Sequence, residues 1–318
     1  MKNIPLIVLV GPTATGKSKM AIYLAKQIGG EIVSADSMLV YKGMDIGTAK
    51  PTQIERDGIK HHLIDLVNPD ETFNVARFRA LASKVIKEIY LNNKRIIVVG
   101  GTGLYIKALL YGLFSHPPIP NEISEKIKKI EREKGQEGLF SWLSDIDPES
   151  AKNIHPNDRI RTIRALEIFL MTGRSIKEFH KEHGFKENYY DPLLIGLWMD
   201  KKLLYKRIEE RTDEMIEKGF VDEVKYLLAK GYNPELPSMK ALGYRQIIKY
   251  LQKEISLDKA IHLIKRDTKR YAKRQFTWFK KVSGINWFYY PYNKGNILKM
   301  VKEFINQKRE GRQDERSD

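Results

Sequence analysis

The sequence predicts an α/β fold: a parallel sheet core flanked by helices, interrupted by an all-helical insertion. Three observations predict it. Short apolar runs at Ile4–Val10, Arg95–Val99 and Leu193–Met199 read as strands buried on both faces. Amphipathic stretches with helical spacing lie beside them. Between Pro120 and Leu193 the strand pattern vanishes and only charged helical segments remain.

The first run leads into Gly11-Pro12-Thr13-Ala14-Thr15-Gly16-Lys17-Ser18, which matches G-x-x-x-x-G-K-[ST] at every fixed position. Ser18–Ile28 follows as a helix, apolar at Met20, Ala21, Leu24 and Ile28. Strand, glycine loop and helix together make a P-loop, so the core is P-loop NTPase-like. The loop N–H groups and the helix N-terminus converge on one spot and favour an anion there. Lys17 adds a point charge, and Ser18 is placed to ligate a Mg²⁺ that bridges phosphate oxygens. The bound group is a diphosphate or triphosphate; whether it is a nucleotide such as ATP is a separate question.

A chain of 318 residues suffices for a large core with an inserted unit. The expected division is 1–118 with 190–318 for the core and 119–189 for the insertion. With 42% hydrophobic and 30% charged residues the chain is globular and soluble. No apolar run reaches bilayer length and no targeting segment is evident, so the cytoplasm is expected and no membrane partner. The lack of cysteine excludes disulfides and cysteine zinc sites. Lys and Arg number 56 against 40 Asp and Glu, a net charge of +16 that points to a polyanionic partner, nucleic acid first.

Along the chain, Glu31–Asp36 reads as a second strand ending in an acid at the edge where such sheets place their chemistry. Asp36 is a water-mediated metal holder, a general base, or a turn residue capped by its own side chain. Residues 40–51 form a long loop with two glycines and a proline. His61 and His62 point to opposite sides of a strand, one packed and one exposed, and share no metal. Asn74 caps a crossover helix that carries Phe78, Leu81, Val85, Ile86 and Ile89. The strand at Arg95–Val99 ends in a second glycine turn, Gly100-Gly101-Thr102-Gly103, and not in the acid of a motor-type NTPase.

Pro117–Pro120 marks a stiff linker. Arg161 and Arg164 share a face of the helix at 159–172, either solvated or on phosphate. Arg207 and Arg211 lie one turn apart on a long helix interrupted near Gly219, and either close over a phosphate or pair with Glu209 or Glu210. From Asp258 to Lys281 the chain is basic and aromatic, with Arg266, Arg270 and Arg274 on one face, a composition suited to RNA phosphates and unpaired bases. Core packing explains its aromatics but not all of its charge. The polar tail from Lys308 is expected to fray.

Several separated motifs then agree. The P-loop, Ser34-Ala35-Asp36-Ser37, residues 43–51, Gly100–Tyr105, Ile154–Asp158, Arg164–Glu167, Gly243–Gln246 and Tyr271–Gln275 with Thr277-Trp278 resemble the tRNA dimethylallyltransferases. The likeness covers nearly the whole chain and looks like the bacterial form. It implies transfer of a dimethylallyl group from dimethylallyl diphosphate to N6 of adenosine 37, just 3′ of the tRNA anticodon.

The resemblance assigns Asp36 as general base and Thr13 as a substrate contact. It puts Lys17, the P-loop and Mg²⁺ on Ser18 at the leaving diphosphate, with an arginine that is Arg207 or Arg211. It maps tRNA contacts onto Asp36, Ser37, Met38 and Leu39, Thr102, and Ile160, Arg161, Thr162, Ile163 and Arg164. Arg270 and Arg274 join them from the basic helix. Relatives commonly carry Gln where this chain has Leu39, whose side chain makes no hydrogen bond. The insertion is expected to grip the anticodon stem-loop, and the chain to act as a monomer. The competing readings are an ATP-dependent small-molecule or nucleotide kinase, which needs no such positive charge, and an RNA-binding NTPase or purely binding protein, which predicts a conventional metal-holding acid that is not found and no covalent product.

Overall fold

Strand β1 (Ile4–Val10) lies inside the sheet, as its nearly unbroken apolar sequence requires. The computed structural model describes residues 4–113, 118–183, 189–289 and 294–314. After β1 come α1 (Lys17–Ile28), β2 (Gly30–Ser34), α2 (Gln53–Arg56), β3 (His61–His62), α3 (Val75–Leu91), β4 (Arg95–Val99) and α4 (Gly103–Tyr111). Four helices follow: α5 (Asn121–Ile146), α6 (Pro148–Ala151), α7 (Arg159–Thr172) and α8 (Ile176–His183). The chain continues through β5 (Tyr190–Trp198), α9 (Lys201–Glu217), α10 (Phe220–Ala229), α11 (Tyr244–Leu251), α12 (Leu257–Phe279), β6 (Asn286–Tyr289) and α13 (Lys294–Asp314).

Six strands pair in parallel in the order β3-β2-β4-β1-β5-β6. Parallel pairing puts every carboxyl end at one edge. The loops after β2, β4 and β1, adjacent in the sheet, therefore emerge side by side. By contact the chain divides into two units, Met1–Leu110 with Asn188–Asp318, and Tyr111–Glu187.

In the first unit Leu9, Met20, Leu24, Ile97 and Leu197 belong to one buried cluster between sheet and helices. A second cluster joins Val40, Tyr41 and Met44 of the long loop to Phe220, Val224 and Tyr244. Polar clamps hold that loop. The Glu223 carboxylate accepts the N–H groups of Asp45 (2.9 Å), Ile46 (2.6 Å) and Gly47 (3.1 Å) and the Tyr244 hydroxyl (2.6 Å). Lys50, 8% exposed, donates to Tyr41 O (2.7 Å), to Asp45 (2.6 Å) and to Asp65. A buried ammonium with this many acceptors leaves no donor unsatisfied.

In the second unit, α5 kinks at Gly135 (φ 63°). Ile127, Leu139 and Leu143 of α5 pack on Ala165 and Leu166 of α7. Asp158 caps α7 by accepting the Arg161 N–H at 3.2 Å.

Several elements differ from the sequence expectation. Strand β2 stops at Ser34, because Asp36 turns the chain: its Oδ1 accepts the Met38 N–H at 2.8 Å. His61 and His62 are both half-buried and both bonded. His61 Nδ1 meets Ile59 O at 2.8 Å and His62 Nε2 meets Glu31 at 2.7 Å. The edge strand β6 and helix α13 were not foreseen, and α13 continues through Lys308 to Asp314 where fraying was expected. Pro117 of the expected linker and residues 315–318 of the tail lie outside the described residues.

Glu223→Ala strips three backbone N–H groups and a buried phenol of their acceptor. It is expected to lower unfolding free energy by about 2 kcal/mol or more in urea titration, since hydrogen bonds to a charged group are worth that much each. Burial, helped by Arg56 and His62 and opposed by the Ile59 carbonyl, holds His61 below its ordinary value of 6.5. The unfolded chain therefore binds more protons as pH falls past 6.5, so this contribution is present above 6.5 and lost below it. His61→Gln is expected to shrink the fall in melting temperature between about pH 7 and 5.

Candidate active site

The loop after β1 needs glycine at its start. Gly11 has φ 139°, and a Cβ there would run into the carbonyl oxygen of Leu197 on β5. Thr15 Oγ1 donates to Pro12 O at 2.8 Å, which rounds the loop, and Lys17 Nζ donates to the same oxygen at 2.6 Å. Gly16 (φ 88°) begins α1 without a side-chain cap, so the first N–H groups of the helix stay open to an anion. The Ser18 side chain is exposed beside them.

Helix α9 brings Arg211 to this loop: Nη1 donates to Thr13 Oγ1 at 3.3 Å. The choice between Arg207 and Arg211 is thereby made for the contact to Thr13. Arg207 is near enough to repel Arg211, and among the described residues it makes no ion pair. Burial pushes the Lys17 ammonium down to about 7, with Asp36 opposing and Arg211 adding to the fall. Arg211 is likewise lowered by burial, opposed by Asp36 and Glu214. Two crowded, poorly hydrated cations and an open helix N-terminus favour a multiply charged anion.

Asp36 sits in the turn after β2, partly buried, with Ser37, Met38 and Leu39. The Ser37 N–H donates to Thr102 Oγ1 at 3.2 Å, tying this turn to the glycine turn after β4. Tyr271 of α12 reaches the same place: burial raises its phenol well above the usual value, and the Asp36 charge adds to the rise. Gln275, one turn on, accepts the Thr13 N–H at 2.8 Å and donates to Gly101 O at 3.0 Å. Phe276 stacks on Trp198 of β5 at 3.7 Å, which seats α12 against the sheet.

The structure thus brings together Thr13, Lys17, Asp36, Ser37, Thr102 and Arg211. Arg270 and Arg274 lie on the exposed side of α12, the first paired with Asp267 at 3.8 Å and the second over the Tyr271 ring at 5.8 Å. In the second unit Ile160 and Arg161 are exposed on α7, while Ile163 and Arg164 are half-buried. Thr162 is fully buried and donates to Asp158 O at 2.9 Å, so its side chain turns inward. Gln275, Glu223 and Lys50 were missed as structural anchors of the site. The available signal for Gln275 was an uncharged amide on the Ala272 side of an otherwise basic helix.

A P-loop, a carboxylate turn and a glycine turn, set at the carboxyl edge of one parallel sheet, define a P-loop α/β protein with an anion cradle beside a carboxylate. The IPPT family model, described as IPP transferase, matches residues 39–282. The tRNA dimethylallyltransferase 2 of Geotalea uraniireducens is 50% identical over 303 residues, covering 95% of this chain and 98% of that protein. That of Syntrophus aciditrophicus is 51% identical over 300 residues, covering 94% and 96%. The solved tRNA isopentenylpyrophosphate transferase of Bacillus halodurans superposes with a TM-score of 0.73 at 38% identity, covering 97% of this chain and 99% of that one. A eukaryotic dimethylallyltransferase acting on tRNA gives 0.81 at 28% identity, covering 96% and 80%. The chain belongs to the IPP transferase family, a family of prenyltransferases.

Arg211→Ala is expected to weaken binding of inorganic pyrophosphate with Mg²⁺ about tenfold or more, the worth of one charged hydrogen bond. Arg207→Ala is expected to cost less than about threefold in the same calorimetric titration.

Proposed function

We propose that this chain transfers the dimethylallyl group of dimethylallyl diphosphate to N6 of adenosine 37 in tRNA, releasing diphosphate. The observation that carries the reading is the partly buried Asp36 turn, tied by the Ser37 N–H to Thr102, at the same sheet edge as the P-loop that Arg211 joins through Thr13. An exocyclic adenine amine is a weak nucleophile, because its lone pair is delocalised into the ring. Asp36 accepts the N6 proton as the N6–C1 bond forms and the C1–O bond to diphosphate breaks. Positive charge develops on the allylic carbon and negative charge on the departing diphosphate. Lys17, Arg211, the loop N–H groups and the α1 N-terminus hold that leaving charge. Thr13, in contact with Arg211, orients the diphosphate beside them.

Among the described residues no group of three His, Asp or Glu side chains is arranged to hold a metal. Mg²⁺ suits such a site, since it is commonly held by one or two protein oxygens together with substrate phosphates and water. The exposed Ser18 hydroxyl would hold it, and it would supply Lewis-acid stabilisation of the diphosphate.

The adenosine reaches Asp36 only by leaving its stack. Residues Asp36–Leu39 and Thr102 would line the base side, and the exposed cations Arg161, Arg270 and Arg274 would take phosphates. Net charge of +16 supports an RNA partner, and the anticodon stem-loop is the part this reading requires. Among the described residues no helix is long and apolar enough to cross a membrane. The protein would act as a monomer in the cytoplasm.

The test is incubation with Mg²⁺, dimethylallyl diphosphate and unmodified tRNA carrying adenosines at positions 36 to 38, followed by mass analysis of the nucleosides. One adenosine gaining a C5H8 unit is expected, with kcat falling ~100-fold or more in Asp36→Asn. No mass gain, with phosphate instead moving from ATP to an acceptor, would overturn the reading in favour of a kinase.

A further inference from the structure

Helix α12 inserts one neutral amide between two loops that the proposed reaction uses for different substrates. The Gln275 side chain is 6% exposed. Its Oε1 accepts the N–H of Thr13 in the P-loop at 2.8 Å, and its Nε2 donates to Gly101 O in the turn after β4 at 3.0 Å. The approach is close: a Cβ on Gly101 would meet that Nε2 unless the amide moved and gave up its place between the loops. Both ends of the span lead directly to the chemistry. Thr13 carries the hydroxyl that meets Arg211, and Thr102, next to Gly101, holds the Ser37 N–H beside Asp36. Buried amide hydrogen bonds of this kind set distance and orientation, because leaving either partner unpaired in a dry site is costly.

We infer that Gln275 is a positioning residue that sets the spacing between the diphosphate cradle and the base-side turn, acting through Thr13 and Gly101. The inference rests on the transferase reading. Its consequence is kinetic. Lys17 and Arg211 still bind the diphosphate when the amide is lost, but the carbon it carries no longer lies in line with the base held at Asp36. Misplacement of reacting atoms by about 1 Å lowers the chemical step by on the order of a hundredfold without an equal loss of binding.

Two variants test this in the dimethylallyl transfer assay, with active molecules counted by pyrophosphate binding so that unfolded protein does not enter kcat. Gln275→Met keeps the volume and removes the hydrogen bonds to Thr13 and Gly101. Its kcat is expected to fall about thirtyfold or more while KM for dimethylallyl diphosphate stays within about threefold. Gln275→Glu adds a readout that a merely structural side chain does not move. A protonated carboxyl accepts from Thr13 N–H and donates to Gly101 O, as the amide does; an ionised one turns a second lone pair against that oxygen. The ratio of variant to wild-type kcat is therefore expected to rise steadily as pH is lowered, with any loss at Asp36 cancelling in the ratio.

A kcat within about threefold of wild type in Gln275→Met, or a Gln275→Glu ratio flat with pH, overturns the inference. If Gln275→Met does not fold, the Gln275→Glu ratio alone decides. Failure of the wild-type chain to transfer dimethylallyl is a different result, and it takes the transferase reading down together with the inference.

Discussion

At the carboxyl edge of the sheet, backbone packs against backbone and side-chain amide more closely than a Cβ permits. Gly11 rides on the carbonyl of Leu197, and Gly101 rides on the amide of Gln275. These contacts depend on parallel pairing in one register: Leu9 with Val99 and with Ile195, and Ser34 with Val99. A slip along the β1–β4 or β2–β4 ladder would move one loop out of step with the other two, and a slip of β5 would move Leu197 from under Gly11. The anion cradle, the carboxylate turn and the glycine turn are thus held together by sheet register before any charge interacts with another.

Electrostatics act within that frame. Lys17 and Arg211 are crowded into poor solvation beside Asp36, which holds both toward the charged form. A cation pair of this kind is unfavourable alone and is relieved by an incoming anion, so the site stores part of its affinity in its own repulsion. The large surface charge is organised differently. Asp267 alone faces Arg245, Arg266 and Arg270, and Glu209 and Asp213 pair with Lys269 and Lys265. The basic helix is therefore ordered by internal pairs while keeping an excess of cations, which suits a long polyanion better than a small one.

Support for the site reaches far from it. Residues 40–50, which carry no chemistry of their own, are clamped by Glu223 through three backbone N–H groups and by Lys50 through Tyr41, Asp45 and Asp65. The same segment contributes Tyr41 and Met44 to the second apolar cluster. Residues Ser37–Leu39 run directly into it, so the rigidity of the base-side turn comes from α10 and α11, about 180 residues later in the chain. That is a general way to make a loop precise: satisfy its polar backbone with buried side chains from a rigid element.

Local pattern alone determined β1, the P-loop, α1, α3, β4 and α7, because an apolar period or a fixed glycine spacing is written within each segment. It also placed Thr13, Lys17 and Asp36 at the sheet edge, since they follow strands. Other features were not legible there. Strand β6 carries no alternation of its own and exists because β5 offers it an edge. Asp36 turned out to end its strand by capping its own turn, a choice between backbone partners that sequence leaves open. Which arginine meets Thr13, and that an amide from α12 bridges two loops, depend on side chains more than 190 and 170 residues from their partners. Only the packed sheet brings such groups within hydrogen-bonding distance, and no local preference encodes a contact of that span.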